Sequence, residues 1–213
     1  MYEDDSKLYN CKVALVGSTA VGKTSIITRL ANKTFSEVYK STTINEMSQV
    51  KVVTGDGKQM VLNIWDTLGQ EKFKSLTKIF YKDAHILLLV YDITKKSSFE
   101  DIENVWLKDI INNGEEVRII ILIGNKSDLY DKEEVDENEA REYAKKIGAK
   151  FILTSAKNDS GINELFKYVA EEYLKTDFQD KLNANRRIED GDVDLIKDQS
   201  KSLKKKEKKW SLC

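Results

Sequence analysis

Residues Gly17 to Thr24 read Gly-Ser-Thr-Ala-Val-Gly-Lys-Thr, the spacing G-x-x-x-x-G-K-[ST]. That spacing builds a phosphate cradle. Without a Cβ, Gly17 lets the chain leave a strand sharply and Gly22 lets it enter a helix. Between them, the amides around Ser18, Thr19, Ala20 and Val21 can turn inward as a concave anion site. The helix that follows adds the positive end of its dipole. Lys23 reaches the outer phosphates as a point charge, the Thr24 hydroxyl can hold Mg²⁺, and Ser25 stands beside them in the first helical turn. This chemistry is the binding of a triphosphate. It leaves open the base, the acceptor and whether hydrolysis follows.

A second cluster addresses the base. Asn125-Lys126-Ser127-Asp128 follows an apolar run, about 100 residues beyond the cradle. The Asp128 carboxylate can accept two N–H bonds from the N1 and exocyclic-amine edge of guanine. Adenine has no such pair of donors on that edge. A ligand that leaves a buried carboxylate unpaired is rejected by several kcal/mol, so Asp128 argues against an ATPase or kinase. Asn125 would tie this loop to the phosphate loop, and the Lys126 stem would cover the face of the base. Ser155-Ala156-Lys157 would close the other side. Asp66, ending the run Val61–Trp65, is a candidate to hold the metal through water. Gly69 follows, its amide placed to meet the terminal phosphate. Gln70 can orient an attacking water and is the candidate catalytic residue.

These residues need a frame. Strand-type runs occur at Lys12–Val16, Gln49–Val53, Met60–Trp65, His85–Tyr91, Arg118–Ile123 and Phe151–Thr154. Helical spacing marks Lys23–Asn32, Lys72–Phe80, Ser97–Asn112, Glu137–Ile147 and Ile162–Lys175. Ile119–Ile123 and Ile86–Val90 are apolar on both faces, as central parallel strands must be. Thr54-Gly55-Asp56-Gly57-Lys58 reads as a hairpin turn, which makes one edge strand antiparallel. Asp136 with Glu139 reads as a capping box. The expected fold is α/β of P-loop NTPase type: a doubly wound, six-stranded, mostly parallel sheet with about five helices. Ligands on such sheets bind at the carboxyl ends of the strands, where every cluster above falls.

The chain has 213 residues, 40% hydrophobic and 33% charged, with net charge −1 and no proline. That suits one well-cored domain with a remainder. No apolar run approaches the roughly 20 residues of a membrane span. Glu3, Asp4 and Asp5 argue against a secretory signal. The only cysteines are Cys11, at the start of a strand, and Cys213; a disulfide between them is not expected, which suits a reducing compartment. Cys11 reads as a small buried side chain, and His85, the only histidine, as a strand residue without metal partners. The acidic stretch Asp131–Glu142 reads as a solvated helix face. Residues 1–10 form an extension and 11–176 the nucleotide-binding domain. Residues 177–213 form a flexible tail, whose Lys201–Cys213 segment holds six lysines and one glutamate.

GSTAVGKT, WDTLGQE, NKSD and SAK together resemble the Ras-like small GTPases, over about Cys11 to Leu174. LNIWDT, KFKSLT, FYKDA and LVYDIT resemble segments that mark the Rab family within them. The resemblance implies that Thr42, nineteen residues after Lys23, is the switch threonine on Mg²⁺. A register slip would give that place to Thr43. Phe35 stands where the family sets an aromatic edge against guanine, with a core anchor as the plainer alternative. GTP with Mg²⁺ would order Thr42 and Gly69, and hydrolysis would release both loops. Intrinsic hydrolysis in such proteins is slow, on the order of 10⁻⁴ s⁻¹. The chain offers no obvious arginine to the phosphates in cis, so an activator would supply one; Rab activators can also supply a glutamine. The resemblance further implies an exchange factor, effectors and escort or GDI-type proteins, and a monomer with no nucleic-acid partner.

Four positions depart from the pattern. Leu68 replaces an alanine at a crowded turn beside Gly69. Ile44 and Met47 replace a glycine and an aromatic of the Rab-like T-I-G-V-D-F. Thr19 stands where Ras has glycine, and its branch crowds the attacking water. They sustain a second expectation, a GTP-binding scaffold that hydrolyses poorly. Lysines 204–206, 208 and 209 precede Trp210-Ser211-Leu212-Cys213, which is not a C-a-a-X box. Rab proteins often carry prenyl groups on terminal cysteines. Geranylgeranylation of Cys213 beside the lysines would supply the two signals stable anchoring needs, on the cytosolic face of an endomembrane. Rab tails usually carry two such cysteines; this one has one.

Overall fold

The structure, a computed structural model, describes residues 9–37, 46–67, 81–112 and 119–176. The expected helix Lys72–Phe80 and the tail after residue 176 lie outside them. Six strands form one sheet: β1 (Tyr9–Val16), β2 (Glu46–Val53), β3 (Gln59–Asp66), β4 (Ile86–Asp92), β5 (Ile119–Asn125) and β6 (Lys150–Thr154), in the order β2-β3-β1-β4-β5-β6. All neighbours pair in parallel except β2 and β3. The Thr54–Lys58 turn explains that exception. The Thr54 amide donates to the Lys58 carbonyl at 3.1 Å and the Gly57 amide to the Thr54 carbonyl at 3.0 Å, with Gly57 at φ 85°. β1 begins at Tyr9, ahead of the expected domain start at residue 11, because Tyr9 and Asn10 pair with Met60 and Val61.

Every residue of β4 is buried, and its alternation decides the two layers. Leu87, Leu89 and Tyr91 join Ala14, Val16, Leu122, Phe99, Trp106 and Ala140 in one core cluster. Leu88 and Val90, of the other parity, are equally buried. α1 (Lys23–Asn32) buries Ile26, Ile27 and Leu30, and α4, over 162–176, buries Ile162, Leu165, Phe166 and Val169. Each such side chain contributes about 1.5–3 kcal/mol by leaving water.

α2 starts as Lys96–Asp101, passes through a π-helical stretch at Ile102–Leu107 and ends as Lys108–Asn112. α3 (Glu137–Lys146) opens on Asp136, whose carboxylate accepts from the amides of Asn138 at 2.9 Å and Glu139 at 3.2 Å. Only half of the expected capping box forms, since the Glu139 carboxylate pairs with Lys96 instead. Burial pushes the Cys11 thiol up to about 12, so it is inert at neutral pH. His85 uses Nδ1 to accept the Lys12 amide at 2.9 Å, a structural bond at the start of β4. No group of histidine, cysteine or carboxylate ligands suited to a metal occurs among the described residues. The chain divides into two units, Met1–Tyr173 and Leu174–Cys213.

Candidate functional site

The sheet register sets the carboxyl ends of the strands side by side: Asp66 opposite Leu15, Asp92 opposite Asn125, and Asn125 opposite Thr154. The loop from Gly17 to Gly22 lies between β1 and α1. Gly17 has φ 154° and Gly22 φ 98°. A Cβ on Gly17 would lie 2.1 Å from the Val90 carbonyl oxygen, and one on Gly22 would lie 2.3 Å from Nδ2 of Asn125. Both glycines are therefore demanded by close approach as well as by conformation. Ala20 is left-handed at φ 64°. Gly22 caps α1 with no side-chain acceptor, and no acidic residue sits in the first turn of the helix. That end of α1 suits an anion.

Lys23 is only 6% exposed. Its ammonium donates to the carbonyls of Gly17 at 2.7 Å and Ser18 at 3.0 Å, which ties the side chain to the loop's own backbone. Thr24 Oγ1 donates to Asp66 Oδ2 at 2.6 Å. Thr67 Oγ1 donates to the Leu15 carbonyl at 2.6 Å and fastens the end of β3 beside β1. A hydroxyl and a carboxylate at that separation are hard oxygen donors of the kind Mg²⁺ takes, so the residues present fit the ion.

On the base side, Asn125 Nδ2 donates to the Val21 carbonyl at 2.8 Å, and its Oδ1 accepts from Thr154 Oγ1 at 3.1 Å. The base loop and the phosphate loop are thereby joined. Ser155 Oγ donates to Asp128 Oδ1 at 2.6 Å and accepts the Asn158 amide at 3.1 Å. Lys126, left-handed at φ 67°, pairs through Nζ with Asp92 Oδ2 at 2.5 Å. Phe35 is half-buried, 6.0 Å from the Arg29 guanidinium. Thr19 and Ser25 lie on the loop and the first turn of α1. Thr42, Thr43, Ile44, Leu68, Gly69, Gln70 and Cys213 lie outside the described residues.

Sequence reasoning missed four contributors. Asp92 is fully buried, and its Oδ1 accepts from the Thr94 amide at 2.9 Å and Oγ1 at 2.7 Å. With Lys126 on its other oxygen, it fixes a lysine that would lie over a base. A carboxylate ending a two-sided apolar strand was the available signal. Asp101 Oδ2 accepts from Ser18 Oγ at 2.7 Å, and Trp106 Nε1 donates to the same hydroxyl at 3.5 Å. Asp101 ends the first α-helical part of α2 and Trp106 lies in the π-helical stretch that follows it. Arg29, on the last turn of α1, donates to the Ala156 and Lys157 carbonyls. No local pattern marked Asp101 or Arg29.

A glycine-built anion cradle, a hard-oxygen pair and a carboxylate-bearing base loop, all at the carboxyl edge of one doubly wound sheet, define a P-loop nucleotide-binding protein. The Ras family model matches residues 12–175, which includes all three parts, and the chain belongs to the Ras family. It is thus a small GTPase, a switch of the kind that binds GTP and GDP and hydrolyses GTP.

Proposed function

We propose that this protein is a Rab-type switch that recruits effectors in vesicle and membrane traffic. The observation that carries the reading is the set LNIWDT, KFKSLT, FYKDA and LVYDIT. The first ends β3 and the last ends β4, so both border the nucleotide loops. Trp65 in the first is half-buried, with the Lys12 ammonium 5.6 Å from its ring. The lysine-rich end with Cys213 supports a peripheral site on the cytosolic face of an endomembrane, reached with escort or GDI-type proteins.

In this reading Gly17 to Ser25 hold the phosphates and Asp128, Ser155, Ala156 and Lys157 read guanine. Asn125 joins the two loops, while Lys126 and Phe35 cover the base. Thr24, Asp66 and Thr42 hold Mg²⁺, which when bound neutralises charge on the terminal phosphates. Lys23 stabilises the same oxygens, Gly69 donates to the terminal phosphate, and Gln70 orients the water. Loss of that phosphate releases the segments carrying Thr42 and Gly69. An exchange factor reloads GTP, and an activator brings an arginine to the phosphates. A second reading, the poorly hydrolysing scaffold, rests on Leu68, Ile44 and Thr19.

Phosphate release from GTP separates the two. The enzyme reading expects slow release that an activator accelerates. No release from either sample, with tight guanine-nucleotide binding retained, leaves the scaffold. A faster Leu68→Ala variant would trace the slowness to that turn. For the traffic reading, a fluorescent fusion is expected to mark an endomembrane and to become diffuse when Cys213 is replaced by Ser. A fusion that ignores the replacement, or an unmodified terminal cysteine by intact mass, removes the lipid anchor.

A further inference from the structure

We propose that Arg29 is a positioning residue for base recognition, binding the helix behind the phosphate loop to the loop that closes on guanine. The proposal rests on the guanine-nucleotide reading above. Arg29 spreads its guanidinium over three carbonyls: Nε donates to Ala156 at 2.7 Å, one terminal nitrogen to Lys157 at 2.9 Å and the other to Lys33 at 3.0 Å. The same group lies 6.0 Å from the centre of the Phe35 ring. One planar fork thus meets both elements expected to flank the base.

The connections run further. Ala156 is buried, and its neighbour Ser155 reaches the Asp128 carboxylate at 2.6 Å. Arg29 therefore acts on Asp128 through two residues of one short turn. That turn is closed by the reciprocal Ser155–Ser160 backbone bonds at 2.9 and 3.1 Å. On the other side, Lys157 Nζ pairs with Glu37 at 2.7 Å and Lys33 Nζ donates to Asn163 at 2.8 Å. Residues 33–37, which follow α1, are fastened through Glu37 to the base loop and through Lys33 to the first turn of α4. α1 itself begins with Lys23 and Thr24, so one ten-residue helix joins the phosphate end of the site to the base end.

Only arginine has this reach. Lysine is a compact charge that cannot span three carbonyls in fixed directions. The plainer role for Arg29 is to close the last turn of α1 through the Lys33 carbonyl. That role alone would affect stability and leave base preference untouched, which gives the test its discriminating readout.

The experiment compares wild type with Arg29→Lys, and with Arg29→Gln should the first not fold. It measures release of a fluorescent GDP analogue, preference for GDP over IDP, which lacks the 2-amine, and acceleration of release by a Mg²⁺ chelator. Losing two carbonyl bonds predicts release about 10- to 30-fold faster. The GDP-over-IDP preference falls about 3- to 10-fold, and the chelator effect keeps its wild-type ratio because Thr24 and Asp66 are not disturbed. Unchanged release overturns the proposal, and so does faster release with unchanged base preference. Asp128→Asn is run alongside. If that variant does not lose GDP, the guanine reading has failed, and the failure is separate from any result at Arg29.

Discussion

Asp128→Asn should lose guanine nucleotides and gain xanthine nucleotides. A carboxylate offers two acceptors to the N1–H and 2-amine of guanine. A carboxamide offers one acceptor and one donor, so its NH₂ faces the guanine amine donor to donor. Xanthine carries a carbonyl at that carbon, and the same NH₂ then finds an acceptor. A buried mismatch of this kind costs several kcal/mol, so GDP affinity should fall on the order of 10²- to 10³-fold. XDP should overtake GDP without reaching the wild-type affinity for GDP. The shortfall has a structural cause. Asp128 Oδ1 also accepts from Ser155 Oγ at 2.6 Å, and a neutral amide holds that hydroxyl less strongly than a carboxylate does. Calorimetric titration of both nucleotides reads the outcome. GDP affinity within about threefold of wild type would remove Asp128 from base recognition.

How much of this was legible beforehand depends on whether the chemistry is local. The phosphate loop needs glycines, a lysine and a hydroxyl at fixed offsets in one stretch, so Gly17 to Thr24 could be read directly. β4 and β5 announced themselves as two-sided apolar runs, and the Thr54–Lys58 turn disclosed the antiparallel edge. Asn125 and Asp128 were legible because the motif ends a buried strand. What escaped depends on pairs brought together by the fold alone. Arg29 meets Ala156 across 127 positions and Ser18 meets Asp101 across 83. Neither residue type is unusual on a helix face, and amphipathic spacing says only which side is buried. Asp92 reaches Lys126 across 34 positions, and only the register of β4 with β5 shows them adjacent. The π-helical stretch of α2 was hidden for a related reason. Ile102, Trp106 and Ile110 keep the spacing of an ordinary helix, and the wider turn shows only in the backbone. Glu139 shows the reverse case, a local capping signal overridden by a nearby lysine that sequence distance concealed.

The glycines supply the second large effect. Gly17→Ala should destabilise the protein by about 3 kcal/mol or more and abolish the stabilisation that bound GDP provides. Gly57→Ala should cost only about 1–2 kcal/mol. Both residues have positive φ, at 154° and 85°, so conformation alone does not separate them. Their surroundings do. Nothing lies within 4 Å of a Cβ built on Gly57, whereas one on Gly17 meets the Val90 carbonyl oxygen at 2.1 Å and its carbon at 3.1 Å. That carbonyl cannot give way as a flexible side chain would. Val90 belongs to β4, which is held in register by β1 on one side and β5 on the other. The methyl group must therefore push the loop outward, away from the line that places its amides over the end of β1. The same movement displaces the Gly17 and Ser18 carbonyls that receive the Lys23 ammonium, so the cradle and its cation are lost together. Urea unfolding with and without saturating GDP resolves the two components. Wild type and Gly57→Ala should both gain stability from the nucleotide by the same increment, and Gly17→Ala should gain none. Equal costs for the two variants, with the GDP increment intact in both, would show that the close packing of Gly17 against β4 does not shape the phosphate site.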